Sequence, residues 1–429
     1  MAGIVTYVAG KDPLEETAGG HSSYVRAHAY AAVRAGYEPH LFCVSRSEGI
    51  VETGYGFVHR VRSPLRFVIR EAPSVGFRGN TILFHAPLLA AALERFLENR
   101  PGPHLIHGFA LWCAAGVIAG ERLAKKGVDS TIIANAYTTI RHETAAKFAG
   151  VSCDHGFRNR LRYGLELLWE RLTVERLEKR AITGAGLVLV NYESVKNIVS
   201  AQFGTGIKFQ KFPYCSEAAF LREKWEPQRA TSGIRRLKPA DAPLIVTVSR
   251  HDPRKGLDVF LKALGRLREG GIPFRACLVG TGVLEKSHRQ LAERLGLGDS
   301  VSLEGFVPDP FFYLDQADIF VLPSLEEGSG SVSMLEALQA GTAVVASRID
   351  GIPEDVTHGD SALLVEPGNV GALAEALREL LQDEGLRKRI SGAGRKQFDE
   401  KFSSAALTSA LGSLYAGIGF SSCIARISS

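Results

Sequence analysis

The chain has 429 residues, 45% of them hydrophobic and 23% charged, with a formal net charge of +5. This composition excludes a disordered or collagen-like chain, and at ~100–200 residues per domain the length gives two or three domains. The small, scattered positive surplus excludes the concentrated basic stripe of a nucleic-acid binder, while leaving a pull toward anionic substrates or an anionic membrane surface.

The predicted elements begin with a β-branched run at 4–8 that leads into a loop and a helix at 22–35. Further strands are predicted at 39–44, 105–107, 131–134 and 187–190, with helices of three-to-four apolar spacing at 88–99, 113–126 and 157–180. The second half repeats the alternation. Its strands fall at 244–249, 275–278, 301–303, 319–322, 343–346 and 362–365, its helices at 256–269, 286–295, 332–340 and 371–382. Strands alternating with helices indicate parallel β-α-β units covered on both faces. The fold class is therefore α/β, two doubly wound Rossmann-like domains, with ligands expected in the cleft they face. The boundaries are 1–224 for the first domain and 225–243 for a polar, Pro-punctuated linker. The second domain spans 244–410, and a C-terminal helix or tail at 411–429 is placed to pack back on the first domain.

The six cysteines, Cys43, Cys113, Cys153, Cys215, Cys277 and Cys423, form no Cys-x-x-Cys pair. They read as small buried hydrophobes in a reducing compartment. The N-terminus lacks a signal peptide's charged start and long apolar core, and no apolar run approaches the ~20 residues that span a bilayer. The expected location is the cytoplasm, with peripheral contact at the inner face of the membrane as the furthest departure from it.

Three loops carry candidate chemistry. In Thr17-Ala-Gly-Gly-His21, Gly19 and Gly20 precede a helix, so backbone amides and a positive dipole end can meet an anion there. Plain turn chemistry explains paired glycines as well. In Ser249-Arg-His-Asp-Pro-Arg-Lys-Gly256, Arg250 and Lys255 lie on a strand-end loop. A guanidinium and an ammonium there would neutralise a diphosphate leaving group, at ~1.5–3 kcal/mol per charged hydrogen bond. In the third, Pro323 to Ala337, the small residues Gly328, Ser329, Gly330 and Ser331 expose amides ahead of a helix carrying Glu336. Carboxylates accept hydroxyl hydrogen bonds, so Glu327 suits a sugar and Glu336 a ribose.

With these loops, Phe306-Val307, Pro323-Ser-Leu-Glu-Glu-Gly328, Leu335-Glu-Ala337 and Gly351-Ile-Pro-Glu354, the chain resembles the retaining GT-B glycosyltransferases of the family 4 group over nearly its whole length. The resemblance implies a nucleoside diphosphate sugar donor, an acceptor hydroxyl and retained anomeric configuration. Arg250 and Lys255 would bind the diphosphate, with Glu327 at the transferred sugar and Glu336 at the ribose. The backbone at Phe306 and Val307 would meet the base, and Gly19-Gly20 the phosphates from the other domain. No cofactor or metal is expected, because no Asp-x-Asp motif accompanies the donor loops.

The chain departs from the family pattern in places. Eight residues lie between Glu327 and Glu336, one more than the usual spacing, so Glu327, Glu326 or loop backbone fills the sugar-contact role. Where relatives carry a histidine after a first-domain strand, this chain has Tyr137, with His107 and His142 as the other acceptor-side candidates. The acceptor is expected at the first domain, whose stretch Arg60, Arg62, Arg66, Arg70 and Arg78 is rich in arginine. The 157–180 segment mixes Arg158, Arg160 and Arg162 with Leu165, Leu167, Leu168 and Trp169. It reads either as a helix packing its apolar face inward or as a basic amphipathic helix resting on an anionic membrane. Competing functions are a dinucleotide-dependent dehydrogenase, for which no complete Gly-x-Gly-x-x-Gly is present, a non-catalytic sugar or nucleotide binder, and a sugar-nucleotide epimerase.

Overall fold

The computed structural model describes residues 3–14, 20–64, 80–150, 157–223 and 241–420. The chain divides into two units. The first comprises Met1–Ala145, Arg162–Leu221 and Ser403–Ser429, the second Ala146–Leu161 and Arg222–Phe402.

In the first unit, β1 (Gly3–Lys11), α1 (Gly20–Arg34), β2 (Tyr37–Ser45), β3 (Gly49–Thr53), β4 (Gly56–Arg62), α2 (Asn80–Leu97), β5 (His104–Phe109) and α3 (Cys113–Ala124) follow in order. Then come β6 (Ser130–Ala136), α4 (Ile140–Gly150) and α5 (Phe157–Leu172), of which Ala146–Leu161 is grouped with the second unit, followed by α6 (Val174–Thr183), β7 (Leu187–Val190), α7 (Glu193–Phe203), β8 (Phe209–Lys211) and α8 (Ala218–Leu221). They build an eight-stranded sheet ordered β3-β4-β2-β1-β5-β6-β7-β8. Every pairing is parallel except the β3–β4 hairpin. β5 and β7 are buried along their whole length, as strands covered on both faces must be, and this explains why β7 reads as an unbroken apolar run. The hairpin has no such run. β3 is a half-exposed edge strand without the apolar alternation that would mark it in the sequence.

The expected single helix over 157–180 is two. α5 ends before Thr173, whose amide and Oγ1 both donate to the Trp169 carbonyl, at 3.0 and 2.7 Å. A β-branched residue bonding back on the preceding turn breaks the helix without proline or glycine.

The second unit contains β9 (Leu244–Val248), α9 (Leu257–Glu269), β10 (Arg275–Val279), α10 (Glu285–Arg294), β11 (Val301–Gly305), α11 (Phe311–Gln316), β12 (Ile319–Leu322) and α12 (Val332–Ala340). β13 (Ala343–Ser347), α13 (Ile352–Asp355), β14 (Leu363–Val365), α14 (Val370–Gln382) and α15 (Glu384–Lys401) complete it. Its all-parallel sheet has the order β11-β10-β9-β12-β13-β14. Leu264, Leu278, Val321, Val345 and Leu377, all fully buried, belong to one core linking strands to helices. At ~1.5–3 kcal/mol per buried aliphatic side chain, such contacts dominate the unit's stability. The last helix, α16 (Ser404–Gly417), belongs to the first unit. Its Tyr415 stacks edge-on against Tyr37 of β2.

Two doubly wound parallel sheets are thus present, as the alternation of elements required. Cys43, Cys113, Cys215 and Cys277 are buried, and burial pushes the thiols of Cys113 and Cys277 up to about 12. Cys153 and Cys423 lie outside the described residues, as do most of the 225–243 linker, Arg66, Arg70 and Arg78. Among the described residues no helix is long and apolar enough to cross a membrane.

One buried carboxyl in the first unit is a test of the packing. Glu178 of α6 accepts the Ile140 amide at the start of α4 (3.0 Å), and burial, with Glu175 and Glu143 nearby, raises its pKa to about 7. A carboxyl raised on folding contributes stability below its unfolded pKa of about 4.5 and loses it as pH climbs through 7. Glu178→Gln keeps the acceptor and removes the charge. Urea melts should therefore show the variant more stable than the parent at pH 8.5, by on the order of 1–3 kcal/mol, and equal to it near pH 5; equal stability at both would contradict this.

Candidate active site

In the second sheet the chain runs outward from β9 to β10 and β11, then crosses back to lay β12 on the other side of β9. The carboxyl ends of β9 and β12 therefore flank the topological switch point, where open α/β sheets bind ligands. The loops leaving these two strands are 249–256 and 323–331.

Backbone geometry locks the loops together. Asp252 caps a short 3-10 turn, Pro253–Lys255, by accepting the Arg254 amide. The Arg254 carbonyl then takes the amides of Leu325 (2.7 Å) and Glu326 (3.3 Å) from the facing loop. Gly256 follows with φ +60°, and a Cβ there would meet the Pro323 carbonyl oxygen at 2.1 Å. Only glycine lets the two loops approach so closely.

The side chains form two ion pairs across this seam. Lys255 Nζ donates to both carboxylate oxygens of Glu327, at 2.6 and 2.7 Å. Ser324 Oγ donates to the same carboxylate, and Asp350 Oδ2 accepts the amides of Glu327 (2.7 Å) and Gly328 (2.8 Å). Beneath it, Arg254 Nη1 donates to Glu326 Oε2 at 3.1 Å, with both residues buried. Burial outweighs the pull of Arg254 and, helped by Asp350 and Glu327, lifts the Glu326 carboxyl to about 7. Glu326 is therefore engaged by Arg254, and it is Glu327 that faces the lysine.

Arg250 Nη2 lies 3.2 Å from Asp252 Oδ2, with half of its side chain exposed. An ammonium has three donors, and Lys255 uses two on Glu327, leaving one N–H with no acceptor among the described residues. The half-exposed Arg250 guanidinium and this N–H are the loop's donors suited to an anion.

Past Gly328, which has φ +74°, the half-buried Ser329 and Gly330 lead to Ser331. Ser331 caps α12 by accepting the Met334 amide at 3.3 Å. Glu336 sits half-buried on α12, flanked by the fully buried Met334, Leu335, Ala337 and Leu338. Phe306, 54% exposed, and the half-buried Val307 follow β11. The 249–256 loop is also pinned from β10's side. His251 donates its amide to the Thr281 carbonyl (2.9 Å) and accepts the Leu284 amide (3.0 Å), and its buried ring meets His288, Nδ1 to Nδ1, at 3.0 Å.

Arg254, Ser324, Asp350 and the His251–His288 pair were not singled out from the sequence. Arg254 and Glu326 stand 72 residues apart, and only the β9–β12 adjacency brings them together. Among the described residues no three His, Cys, Asp or Glu side chains are grouped as metal ligands would be.

His107 of β5 is fully buried. Its Nδ1 is 2.8 Å from Tyr415 Oη and its Nε2 2.8 Å from Asn135 Oδ1, so both ring nitrogens are committed within the core. Tyr137, half-buried after β6, packs edge-on to Tyr24 (4.6 Å) and His21 (5.9 Å). His142 is half-buried in the first turn of α4. Gly20 opens α1, and Gly19 lies outside the described residues. Arg60 faces the buried Asp12 at 2.7 Å.

Residues 231–397 match the family model of glycosyl transferases group 1. The chain is 33% identical to the lipopolysaccharide core biosynthesis glycosyltransferase LpsD of Rhizobium meliloti over 193 residues, 45% of this chain and 54% of that protein. It is 29% identical over 244 residues to a GDP-mannose-dependent alpha-(1-6)-phosphatidylinositol monomannoside mannosyltransferase of Mycobacterium tuberculosis, covering 54% and 63% of the two chains. The chain thus spans little more than half the length of the curated relatives it matches. In structure it is similar to sucrose-phosphate synthase from Thermosynechococcus elongatus, with a TM-score of 0.73, 21% identity and coverage of 97% and 99%. At that identity the likeness is one of fold, the GT-B pair of Rossmann-like units.

Proposed function

We propose that the chain is a retaining glycosyltransferase of the family 4 type, moving a hexose from a nucleoside diphosphate sugar to an acceptor hydroxyl on a glycan, glycolipid or small molecule. The observation that carries this reading is the Lys255–Glu327 pair, bidentate and buried at the switch point of a group 1 domain.

In this mechanism Arg250 and Lys255 hold the donor diphosphate. As the bond between the anomeric carbon and the phosphate oxygen breaks, negative charge grows on that oxygen, and the Lys255 ammonium stabilises it. The acceptor oxygen bonds to the anomeric carbon from the same face, and its proton passes to the departing phosphate oxygen. Glu327 fixes the ammonium and offers carboxylate oxygen to the sugar hydroxyls. Amides at Gly328 to Ser331 and the Glu336 carboxylate receive the phosphates and the ribose. Phe306 and Val307 border the base. His107 is closed into the core with both ring nitrogens engaged, and Tyr137 and His142 remain the acceptor-side candidates. The enzyme acts in the cytoplasm, in polysaccharide or glycolipid assembly, with peripheral access to the inner membrane face.

The test is product analysis. Incubation with a panel of UDP-, GDP- and ADP-sugars should give one productive donor, and proton NMR of the first-formed product should show the donor's anomeric configuration. Turnover should persist in excess chelator. An inverted product would overturn the retaining mechanism, and abolition by chelator would overturn metal independence. Donor binding without turnover on any acceptor would reduce the protein to a binding module.

A further inference from the structure

In the second sheet β13 lies beside β12, paired in parallel from Ile319 with Ala343 to Leu322 with Ala346. The loop leaving β13 therefore emerges next to the 323–331 loop. Two backbone bonds fold it tightly. The Ile349 amide donates to the Ser347 carbonyl and the Ile352 amide to the Ile349 carbonyl, both at 3.0 Å. Asp350 sits within this turn at φ +48°, a value that among the described residues only Ala110 approaches without being glycine. Aspartate enters the left-handed region more readily than most residues, yet at a cost that glycine avoids. Residues held there cluster at functional sites.

The Asp350 side chain makes two hydrogen bonds, and both go to the neighbouring loop. Its Oδ2 accepts the consecutive amides of Glu327 and Gly328, at 2.7 and 2.8 Å. Neither amide has another acceptor among the described residues. Bonds to a charged oxygen at this length are about twice as strong as neutral ones. Upstream, the amides of Leu325 and Glu326 are fixed on the Arg254 carbonyl, and downstream Ser331 Oγ accepts the Met334 amide. Asp350 fixes the turn between those two anchors. Glu327 is thus gripped twice, its carboxylate by Lys255 and Ser324 and its backbone by Asp350.

We propose that Asp350 is a positioning residue for the transferred sugar: by holding the Glu327 and Gly328 amides it sets where the Glu327 carboxylate meets the sugar hydroxyls. The inference rests on the donor-site reading above and deepens it. Recognition of the sugar ring depends on a third loop, while the diphosphate is met by Arg250 and Lys255 on the first.

Asp350→Gly separates the two roles. Glycine adopts φ +48° without strain, so the turn survives while both amides lose their acceptor, and the thermal midpoint should stay close to wild type. The measurements are calorimetric titration with the free nucleoside diphosphate and with its sugar conjugate, alongside steady-state turnover. Affinity for the free diphosphate should stay within about 3-fold of wild type, while kcat/KM for the sugar donor falls about 10–100-fold. Asp350→Asn tolerates the same φ and accepts both amides through its carbonyl oxygen, so it should recover most of that loss.

Unchanged kcat/KM in Asp350→Gly would overturn the proposal. Equal losses of free-diphosphate and sugar-donor binding would do so too, as would a melting point far below wild type, since the side chain would then serve the fold at large. A loss in Asp350→Asn as deep as in Asp350→Gly would assign the effect to charge and overturn it as well. A wild type that turns over no donor would retire the transferase reading and this proposal with it. An active wild type matched by Asp350→Gly would remove this proposal alone.

Discussion

Replacing Lys255 by alanine should lower turnover about 10²–10³-fold, the loss typical when one preorganised donor to a developing oxyanion is removed. On the proposed mechanism Lys255 supplies the charge opposite the diphosphate; it is held in place by both oxygens of Glu327, so no reorganisation would be needed as the leaving group departs. Its removal also strands the Glu327 carboxylate, whose side chain is only 5% exposed, with Ser324 as its remaining side-chain donor. Breaking a buried pair from one side costs about 3–5 kcal/mol, so the variant should melt earlier as well. Glu327→Gln separates the two effects, since the neutral amide needs no counter-charge. The double variant Lys255→Ala/Glu327→Gln should recover much of the stability of Lys255→Ala and none of its turnover. If Lys255→Ala keeps near-normal turnover when assayed below its melting point, the lysine does not serve the leaving group.

The second large effect lies in the first unit, far along the chain from any donor loop. Tyr415 is fully buried on α16, with its hydroxyl 2.8 Å from both His107 Nδ1 and Tyr7 Oη. His107 Nε2 donates to Asn135 Oδ1, so Nδ1 accepts the Tyr415 proton. Asn135 Nδ2 in turn reaches Tyr24 Oη (3.2 Å) and His28 Nε2 (3.3 Å). Tyr415→Phe leaves the fully buried His107 acceptor without its donor and should cost about 1–3 kcal/mol in urea melts. Tyr415→Ala opens a cavity besides and should cost about 3–5 kcal/mol. A change below ~0.5 kcal/mol for the phenylalanine variant would mean that the network contributes little.

The same network makes the unit acid-labile. Burial depresses His28 to about 3 and His107 to about 4. Groups depressed on folding contribute stability that is complete above their unfolded pKa of ~6.5 and is lost as pH falls toward the folded values. Stability should therefore decline from pH 6.5 to pH 4, and the decline should be shallower in a His28→Gln variant.

Much of this was legible in the sequence, for identifiable reasons. β7 and β12 are short, fully buried strands, and their unbroken apolar runs set them apart from the helices. Lys255 and Glu327 could be named because each sits at a fixed place in a strand-loop-helix motif. What was hidden is what depends on distant pairing. Arg254 finds Glu326 across 72 positions, Asp350 finds the Glu327 amide across 23, and Tyr415 finds His107 across 308. None of these leaves a local trace, because nothing in a residue's neighbours fixes which strand will lie beside its own. The β3–β4 hairpin escaped for a different reason, since an edge strand with a wet face has no apolar pattern to read.

The account's central claim is that the 249–256 and 323–331 loops form a nucleoside diphosphate site. Calorimetric titration of UDP, GDP and ADP into wild type and Lys255→Ala tests it most directly. Selective binding of one nucleotide, weakened at least ~10-fold by the substitution, is the predicted result. Absence of binding by all three, or equal binding to both proteins, would contradict it.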